Sequence, residues 1–277
     1  MKKQKKRLLF LELFAILLGL FFIIPIALVV INSLKTNGEI IGNFFGILPT
    51  GVHVENYIKA WSKMKYPTAF MNTLILTVGS ALGTMIFGSM AAYKMCRTKT
   101  KYSRVMFLIS ISPMMIAFSS IMISLTKVAK TFHLINSIYG LVVIYWGLLL
   151  PFTIFLYYGN FKTVPLEIEE AARIDGCGSY RAFVYVVFPM LKPITTTVCI
   201  INGMKIWNDL LTPMIMIGAS SKTRTLVLAA EQFKGVMTSN YALSMSAFVM
   251  TSIPIIIFYL VMQKYIVGGI TIGAVKG

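Results

Sequence analysis

Ionisable and aromatic residues inside a long apolar segment are the first candidates for chemistry in this sequence. Lys205 and Asp209 stand one helical turn apart, with Trp207 and Asn208 between them. A charged group in such a segment costs free energy unless it faces a cavity or a partner. Carboxylate and amide oxygens beside an aromatic ring suit the hydroxyl groups and weakly apolar ring faces of sugars.

These four residues allow two interpretations. In the first, they lie near a solute pathway, although Trp207, Asn208 and Asp209 point in different directions on a regular helix and cannot all line one channel. In the second, Lys205 and Asp209 form an internal ion pair between positions i and i+4 of the helix. The sequence leaves both alternatives open.

A charged loop that precedes this segment is the second candidate. Its glutamates follow Pro165, which is tolerated in a first helical turn, and Thr163 is a candidate N-cap. Acidic side chains there favour the positive end of a helix. Gly176 predicts the end of this helix, and a second short helix is expected from Ser179 to just before Pro189.

The composition places both candidates in a membrane protein. Hydrophobic residues make up 57% of the 277 residues, charged residues only 13%, and the mean hydropathy is +0.79. A bilayer-spanning helix needs about 20 mostly apolar residues. We therefore predict an all-α membrane protein with six transmembrane helices, at residues 8–31, 70–93, 105–125, 135–158, 194–217 and 242–262.

Charge placement indicates the orientation of these spans. The net charge of +17 would suggest nucleic acid in a soluble protein, but the basic residues lie in short segments between apolar blocks. With the N-terminus inside, sixteen Lys and Arg residues fall on the cytoplasmic side and nine on the other. The positive-inside rule thus predicts a multi-pass membrane protein with both termini in the cytoplasm.

The charged loop also carries a recognisable signature. Glu170-Ala171-Ala172, followed by Gly176 and Pro189, resembles the EAA signature of binding-protein-dependent ABC importer permeases. We call residues 160–192 the EAA loop. Other segments are similar to the carbohydrate branch of that family, the MalG-like branch that includes the second permease subunit of the maltose transporter: residues 32–35, 55–57, 72–73, 91–93, 151–152, 207–209 and 268–277.

The resemblance implies a type I ABC importer permease whose EAA loop contains a coupling helix. In that family this helix contacts a separate ATPase, and a C-terminal tail makes a second contact. The residues so implicated are Glu170, Ala171, Ala172, Asp175, Gly176 and Lys276.

The resemblance further implies the partners of the chain. They are a second homologous permease subunit, a dimer of cytoplasmic ABC ATPases that binds ATP and Mg²⁺, an extracytoplasmic solute-binding protein, and a sugar, expected to be an oligosaccharide. The chain itself would hold no cofactor, no metal and no catalytic residue. Consistent with this, the sequence has no G-x-x-x-x-G-K-[ST] phosphate-binding motif.

Three regions are expected along the chain. Residues 1–66 would form an anchor helix and an extracytoplasmic loop, residues 67–265 a five-helix permease core, and residues 266–277 a cytoplasmic tail. The alternative function is a secondary transporter driven by an ion gradient. Such carriers often have internal repeats and buried acidic residues, whereas this sequence has no obvious repeat and Asp209 is the only acidic residue deep in a predicted span.

Overall fold

A computed structural model describes the backbone of residues 2–218, 222–234 and 240–274, and the side chains of residues 9–218, 222–234 and 240–264. Within these ranges every regular element is helical. In chain order the α-helices are α1 Lys2–Ser33, α2 Asn37–Gly42, α3 Glu55–Met64, α4 Tyr66–Arg97, α5 Lys101–Ile111, α6 Phe118–Thr131, α7 Ile138–Phe161, α8 Leu166–Ile174, α9 Ser179–Arg181, α10 Phe188–Met190, α11 Lys192–Trp207, α12 Leu211–Ile217, α13 Leu226–Glu231 and α14 Tyr241–Ala274. Lys276 lies outside the described residues.

The long apolar helices account for the predicted spans. In the part of the chain that the structure describes, four helices are long and apolar enough to cross a membrane: Leu9–Ser33, Tyr66–Arg97, Ile138–Phe161 and Tyr241–Lys264. Two bent pairs also qualify, Lys101–Met115 with Phe118–Thr131 and Ser179–Met190 with Lys192–Trp207. The bends are 107° and 78°. Counting each pair as one span gives up to six, which agrees with the predicted number, although the second pair begins in the EAA loop and not at residue 194.

The structure breaks the predicted third span, 105–125, in its middle. Helix α5 stops at Ile111, and a 3-10 turn follows over Ser112–Met115. Pro113 brings no N–H to an α-helical hydrogen bond and its ring clashes with the preceding turn. Ile116 then has extended backbone, with φ −97° and ψ 125°. The prediction of one continuous helix here is therefore wrong.

The predicted fifth span, 194–217, is also interrupted. Helix α11 ends at Trp207 and α12 begins at Leu211, with residues 208–210 between them. We call residues 208–210 the fifth-span break. The continuous helix predicted from hydropathy is wrong here as well, because Asp209 makes hydrogen bonds that hold the break open, as described below.

The first helix of the EAA loop begins later than its sequence suggests. Helix α8 starts at Leu166 with Pro165 as its N-cap residue, and the cap has no side-chain hydrogen bond. Thr163 is not the N-cap, because its Oγ1 donates to the C=O of Asn160 at 2.8 Å. The predicted end is confirmed, since Gly176 follows the helix with φ +85°.

The second helix of the EAA loop passes through Pro189 instead of ending before it. A wide π-helical stretch covers Ala182–Val187, and the N–H of Phe188 bonds to the C=O of Phe183, five residues back. Pro189 removes one ordinary i to i−4 hydrogen bond, and the wider turn makes room for its ring. The chain turns only at Leu191, after Met190.

Contacts divide the chain into two compact units. The first unit comprises Met1–Tyr66 and Ala229–Pro254, and the second comprises Pro67–Leu228 and Ile255–Gly277. The sequence-based division into 1–66, 67–265 and 266–277 stays a prediction. The site described below lies entirely within the second unit.

In the first unit, two segments singled out in the sequence bind each other. The side-chain amide of Asn56 donates to the C=O groups of Ser33 and Lys35, at 3.0 and 2.9 Å. The Ser33 and Tyr57 hydroxyls are 2.5 Å apart. Lys35 is only 2% exposed, and its Nζ donates to the C=O groups of Asn43 and Gly46. The loop after α1 is thus tied to the end of that helix.

A reciprocal cap begins α2 in the same loop. The Thr36 hydroxyl accepts from the N–H of Glu39, and the Glu39 carboxylate accepts from the N–H of Thr36. The N–H of Thr50 donates to the same carboxylate at 3.1 Å. These backbone donors, with Thr36 the stronger, hold the pKa of the Glu39 carboxyl below its usual range.

Helix α7 is the packing centre of the second unit. Leu141, Tyr145 and Leu149 are at most 1% exposed and belong to one buried apolar cluster with residues of α4, α6, α11 and α12. Two glycines of α4 permit the close approach of α7: a Cβ on Gly79 would meet Val142, and a Cβ on Gly83 would overlap the Trp146 indole. The Gly79 and Gly83 pair therefore serves helix packing, as small residues do in membranes.

The close approach at Gly83 can be tested with one methyl group. Gly83→Ala should lower the stability of the detergent-solubilised protein by about 1–3 kcal/mol, because the methyl displaces the Trp146 ring. Gly147→Ala, in α7, is the matched control, since its Cβ meets no atom within 4 Å. Equal thermal unfolding midpoints for the two variants would contradict this packing.

Candidate functional site

Helix α8 of the EAA loop presents one face outward. Glu170, Ala171, Asp175 and Gly176 are exposed, and Ile174 is 87% exposed. Two hydrogen bonds close the helix in a Schellman pattern, from Cys177 N–H to the C=O of Ala172 and from Gly176 N–H to the C=O of Arg173. The structure thus brings four of the predicted coupling residues together on one surface.

Ala172 differs from the other predicted coupling residues. It is 7% exposed, so its methyl group packs within this chain. Its role in coupling stays a prediction, and its side chain points away from the surface that Ala171 occupies. The reason is helical geometry, because consecutive residues differ by about 100° in direction. Ala171 faces outward and Ala172 faces inward.

Glu169 of the EAA loop was not among the residues that the sequence predicted to be functional. Its side chain is 2% exposed and pairs with Arg97, whose Nη2 lies 2.5 Å from Oε1. Arg97 Nε donates to the same oxygen at 2.6 Å. The Tyr93 hydroxyl donates to Oε2 at 2.9 Å. Both carboxylate oxygens are therefore satisfied, as burial of a charge requires.

Arg97 binds the loop at a second point. Its Nη2 also donates to the C=O of Val164 at 3.0 Å, immediately before α8. The last turn of α4 therefore holds both the approach to α8 and its first turn. The only sequence signal for this contact is an arginine at the end of a predicted span, and such residues are also explained by the positive-inside rule.

Aromatic rings pack beneath this ion pair. The Tyr93 ring centroid lies 5.4 Å from that of Phe161 and 4.8 Å from that of Phe183. Phe161 ends α7 and Phe183 belongs to the π-helical stretch, so three segments meet at Tyr93. With Val187, which is fully buried, they form an apolar core under the EAA loop.

Asp209 organises the fifth-span break. Its Oδ1 accepts from the N–H groups of Leu211 and Thr212, which lie at the start of α12. Its Oδ2 accepts from the hydroxyls of Thr212, at 2.6 Å, and Tyr145, at 2.8 Å. One carboxylate thereby accepts the hydrogen bonds of two backbone N–H groups at the start of α12 and also connects this helix to α7.

The structure has no ion pair between Lys205 and Asp209, which was the second of the two interpretations that the sequence left open. Among the described residues the ion pairs join other partners, and Lys205 is exposed on α11. The break turns the Asp209 carboxylate toward Tyr145 and away from the helical position that an i to i+4 pair requires.

The remaining residues of the predicted solute pathway face different surroundings. Trp207 is 7% exposed, and its ring lies edge-to-face with Phe70 at 5.8 Å. Asn208 is exposed and its side-chain amide donates to the C=O of Met204. The structure thus separates the predicted group into two inward residues, Trp207 and Asp209, and two outward ones, Lys205 and Asn208.

A buried polar cluster joins three helices above the EAA loop. Asn202 of α11 donates from its side-chain amide to the hydroxyls of Thr84, in α4, and Thr153, in α7, at 3.3 and 3.0 Å. All three residues are fully buried. Hydrogen bonds of this kind hold membrane helices together. The sequence offered one sign of this cluster, which is an asparagine inside an apolar segment.

The fold and the site define a class of protein. It is a multi-span helical membrane protein in which the loop between two spans exposes a short, glycine-terminated helix. Over the described residues, no group of three or more His, Cys, Asp or Glu side chains could hold a metal ion.

Comparison with known proteins gives the family. Residues 68–272 match the model described as "Binding-protein-dependent transport system inner membrane component". The chain belongs to this family of inner-membrane transport components. Membership favours the importer permease over the ion-gradient carrier considered as the alternative.

The relatives include sugar-importer permeases. The chain is 35% identical over 275 residues to the melibiose/raffinose/stachyose import permease protein MelC of Bacillus subtilis (strain 168), covering 99% of each chain. It is 37% identical over 276 residues to the probable starch degradation products transport system permease protein AmyC of Thermoanaerobacterium thermosulfurigenes, covering 100% of each.

A solved structure supports the fold. A chain of a bacterial ABC transporter involved in the import of the acidic polysaccharide alginate superimposes with a TM-score of 0.76. The match covers 93% of this chain and 96% of the other, at 22% sequence identity. The permease architecture expected from the sequence is therefore confirmed.

The role of Asp209 in holding the break can be tested by stability. Asp209→Ala should cost about 1–3 kcal/mol, because the Tyr145 and Thr212 hydroxyls and two backbone N–H groups lose their acceptor. Asn208→Ala, at the exposed neighbour, should change stability by no more than about 0.5 kcal/mol. Thermal unfolding of the detergent-solubilised variants is the measurement, and equal losses would rule out the proposed role.

Proposed function

We propose that this chain is one of two permease subunits of an ATP-driven carbohydrate importer in the bacterial cell membrane. The observation that carries the proposal is the exposed α8, with Glu170 and Ala171 outward and Gly176 closing it, in a chain of this transport family. The names of the similar proteins, which refer to raffinose-type sugars and starch degradation products, support an oligosaccharide as the solute.

The coupling step is assigned to α8. Its outward residues Glu170, Ala171 and Asp175 contact a cytoplasmic ATPase, whose dimer binds ATP and Mg²⁺. Glu170 supplies a charge-assisted hydrogen bond, which is stronger than a neutral one. Closure of the two ATPases then tilts the EAA loop and the spans connected to it. Lys276, in the tail, is proposed as a second contact with the ATPase.

The remaining partners are those of the family, and the exposure of α1 is consistent with one of them. Residues 9–26 of α1 are exposed in the isolated chain, which suits lipid and a second permease subunit. An extracytoplasmic solute-binding protein delivers the sugar to the opposite face, with both termini of this chain in the cytoplasm. Hydrolysis of ATP belongs to the ATPase subunits, and this chain transmits their movement.

The solute pathway is assigned to the outward side of α11. Lys205 and Asn208 are exposed and three residues apart, so they lie on one helical face. Ammonium and amide groups can hydrogen-bond the hydroxyls of a sugar. Trp207 and Asp209 lie behind this face and hold its shape through Phe70 and Tyr145.

Substitutions at the outward face of α8 test the proposed coupling. In a complex reconstituted with its ATPase and binding protein, Glu170→Lys should abolish uptake and solute-stimulated ATP hydrolysis, because it reverses the contact charge. Gly176→Pro should do the same, since proline fixes φ near −65° and removes the N–H that binds Arg173. Radiolabelled raffinose and maltotriose serve as solutes, and membrane insertion should be unaffected.

A pair of alanine substitutions provides the matched control. A Cβ would meet no atom within 4 Å at Gly176 or at Gly178, but only Gly176 has positive φ. Gly176→Ala should therefore cost about 1–2 kcal/mol and impair coupling, whereas Gly178→Ala should not. ATP-dependent uptake at the unaltered rate in both Glu170→Lys and Gly176→Pro would refute the assignment of α8.

A further inference from the structure

Two consecutive glutamates of α8 lie in opposite environments. Glu170 is exposed on the face assigned to the ATPase, whereas Glu169 is buried and bonded to Arg97 and Tyr93 of α4. Arg97 also holds the C=O of Val164. Four contacts thus join the last turn of α4 to one end of α8.

The chain itself does not connect these two helices closely. The EAA loop is continuous with α7 on one side and α11 on the other, whereas Arg97 and Glu169 are 72 residues apart. A tilt of α8 would therefore reach α7 and α11 through the backbone. It can reach α4 only through side chains.

We propose that Arg97, Glu169 and Tyr93 form a latch that makes the end of α4 move with α8, so that movement of the EAA loop displaces the second span as well as the fourth and fifth. This proposal rests on the proposed function, because it takes the ATPase as the source of the movement. Arg97 and Glu169 are then positioning residues for coupling.

The chemistry of the contact explains why it transmits movement. The pairs of Tyr93 with Phe161 and with Phe183 have preferred geometries, but each contributes only about 0.5–1.5 kcal/mol, so they resist a displacement weakly. Separating Arg97 from Glu169 would instead leave a buried charge without its partner, which is strongly unfavourable. The ion pair therefore stays closed while the loop tilts.

Stability alone gives no reason for this ion pair. Well-packed apolar residues of similar volume often replace a buried ion pair with no loss of stability. This offers a variant that keeps the fold and removes the latch: Arg97→Met together with Glu169→Leu. The double variant leaves no unpaired buried charge, unlike either single substitution.

The first test measures how much ATP is hydrolysed for each sugar imported. In the reconstituted complex with raffinose or maltotriose, the Arg97→Met/Glu169→Leu variant should hydrolyse about tenfold more ATP per imported sugar than the unaltered complex. Lys94→Met, at an exposed charge on the last turns of α4, is the control and should keep the original ratio. An unchanged ratio in a stable, assembled double variant would overturn the latch.

The second test follows the movement directly and needs no sugar. Spin labels at Lys94→Cys, exposed on the last turns of α4, and Leu166→Cys, exposed at the start of α8 and outside the proposed ATPase contact, report the distance between the two helices. The three native cysteines are replaced first. With the latch, this distance should be the same in nucleotide-free and ATP-trapped complexes, and without it ATP should change the distance. The same behaviour in both proteins would contradict the latch.

The two proposals fail in different ways. If the unaltered complex shows no ATP-driven uptake of either sugar, the proposed function is refuted. If the unaltered complex imports sugar and the double variant keeps both the ATP ratio and the constant label distance, only the latch is refuted.

Discussion

Lipid provides no hydrogen-bonding partners, so every interruption of a spanning helix must be satisfied by protein groups. The fifth-span break meets this requirement with one carboxylate, because Asp209 accepts hydrogen bonds from the start of α12 and from Tyr145. In the cytoplasmic EAA loop this constraint does not apply, and the π-helical stretch instead lets a helix continue through Pro189. The positions of α8 and of the fifth-span break depend on these local hydrogen bonds.

Helix α7 connects these interrupted segments to the other helices of the second unit. The close approach at Gly83, the amide of Asn202 and the hydroxyl of Tyr145 join α7 to α4, α11 and α12. The end of α7 at Phe161 then supports the rings beneath the EAA loop. The same helix thus connects the candidate solute pathway with the candidate coupling surface.

The number of spans could be predicted from the sequence, but their continuity could not. Hydropathy reports whether about 20 residues can cross the bilayer, and Pro113 alone does not predict a break. Helices α1, α7 and α14 each contain a proline, Pro25, Pro151 and Pro254, and continue through it. Membrane helices tolerate proline when neighbouring groups satisfy the freed backbone, and those neighbours are not visible in one segment.

The sequence predicted those features of the candidate site that depend on neighbouring residues along the chain. The glycine that ends α8 follows from backbone conformation, and the outward placement of Glu170 and Ala171 agrees with the short helix that was predicted. Glu169 was missed because it is identical in type to its neighbour and its partner lies in another span. Asp209 was identified, but its bond to Tyr145, 64 residues away, could not be.

Glu169 and Glu170 are neighbours on one helical turn, but different proteins restrict which residues can replace them. Residue 170 can change together with an outside protein, while residue 169 is restricted by Arg97 and Tyr93 of its own chain. Among related permeases, substitutions at 169 should therefore be accompanied by changes at 97. Substitutions at 170 should instead be accompanied by changes in another gene, so a permease could acquire a new ATPase without altering its own interior.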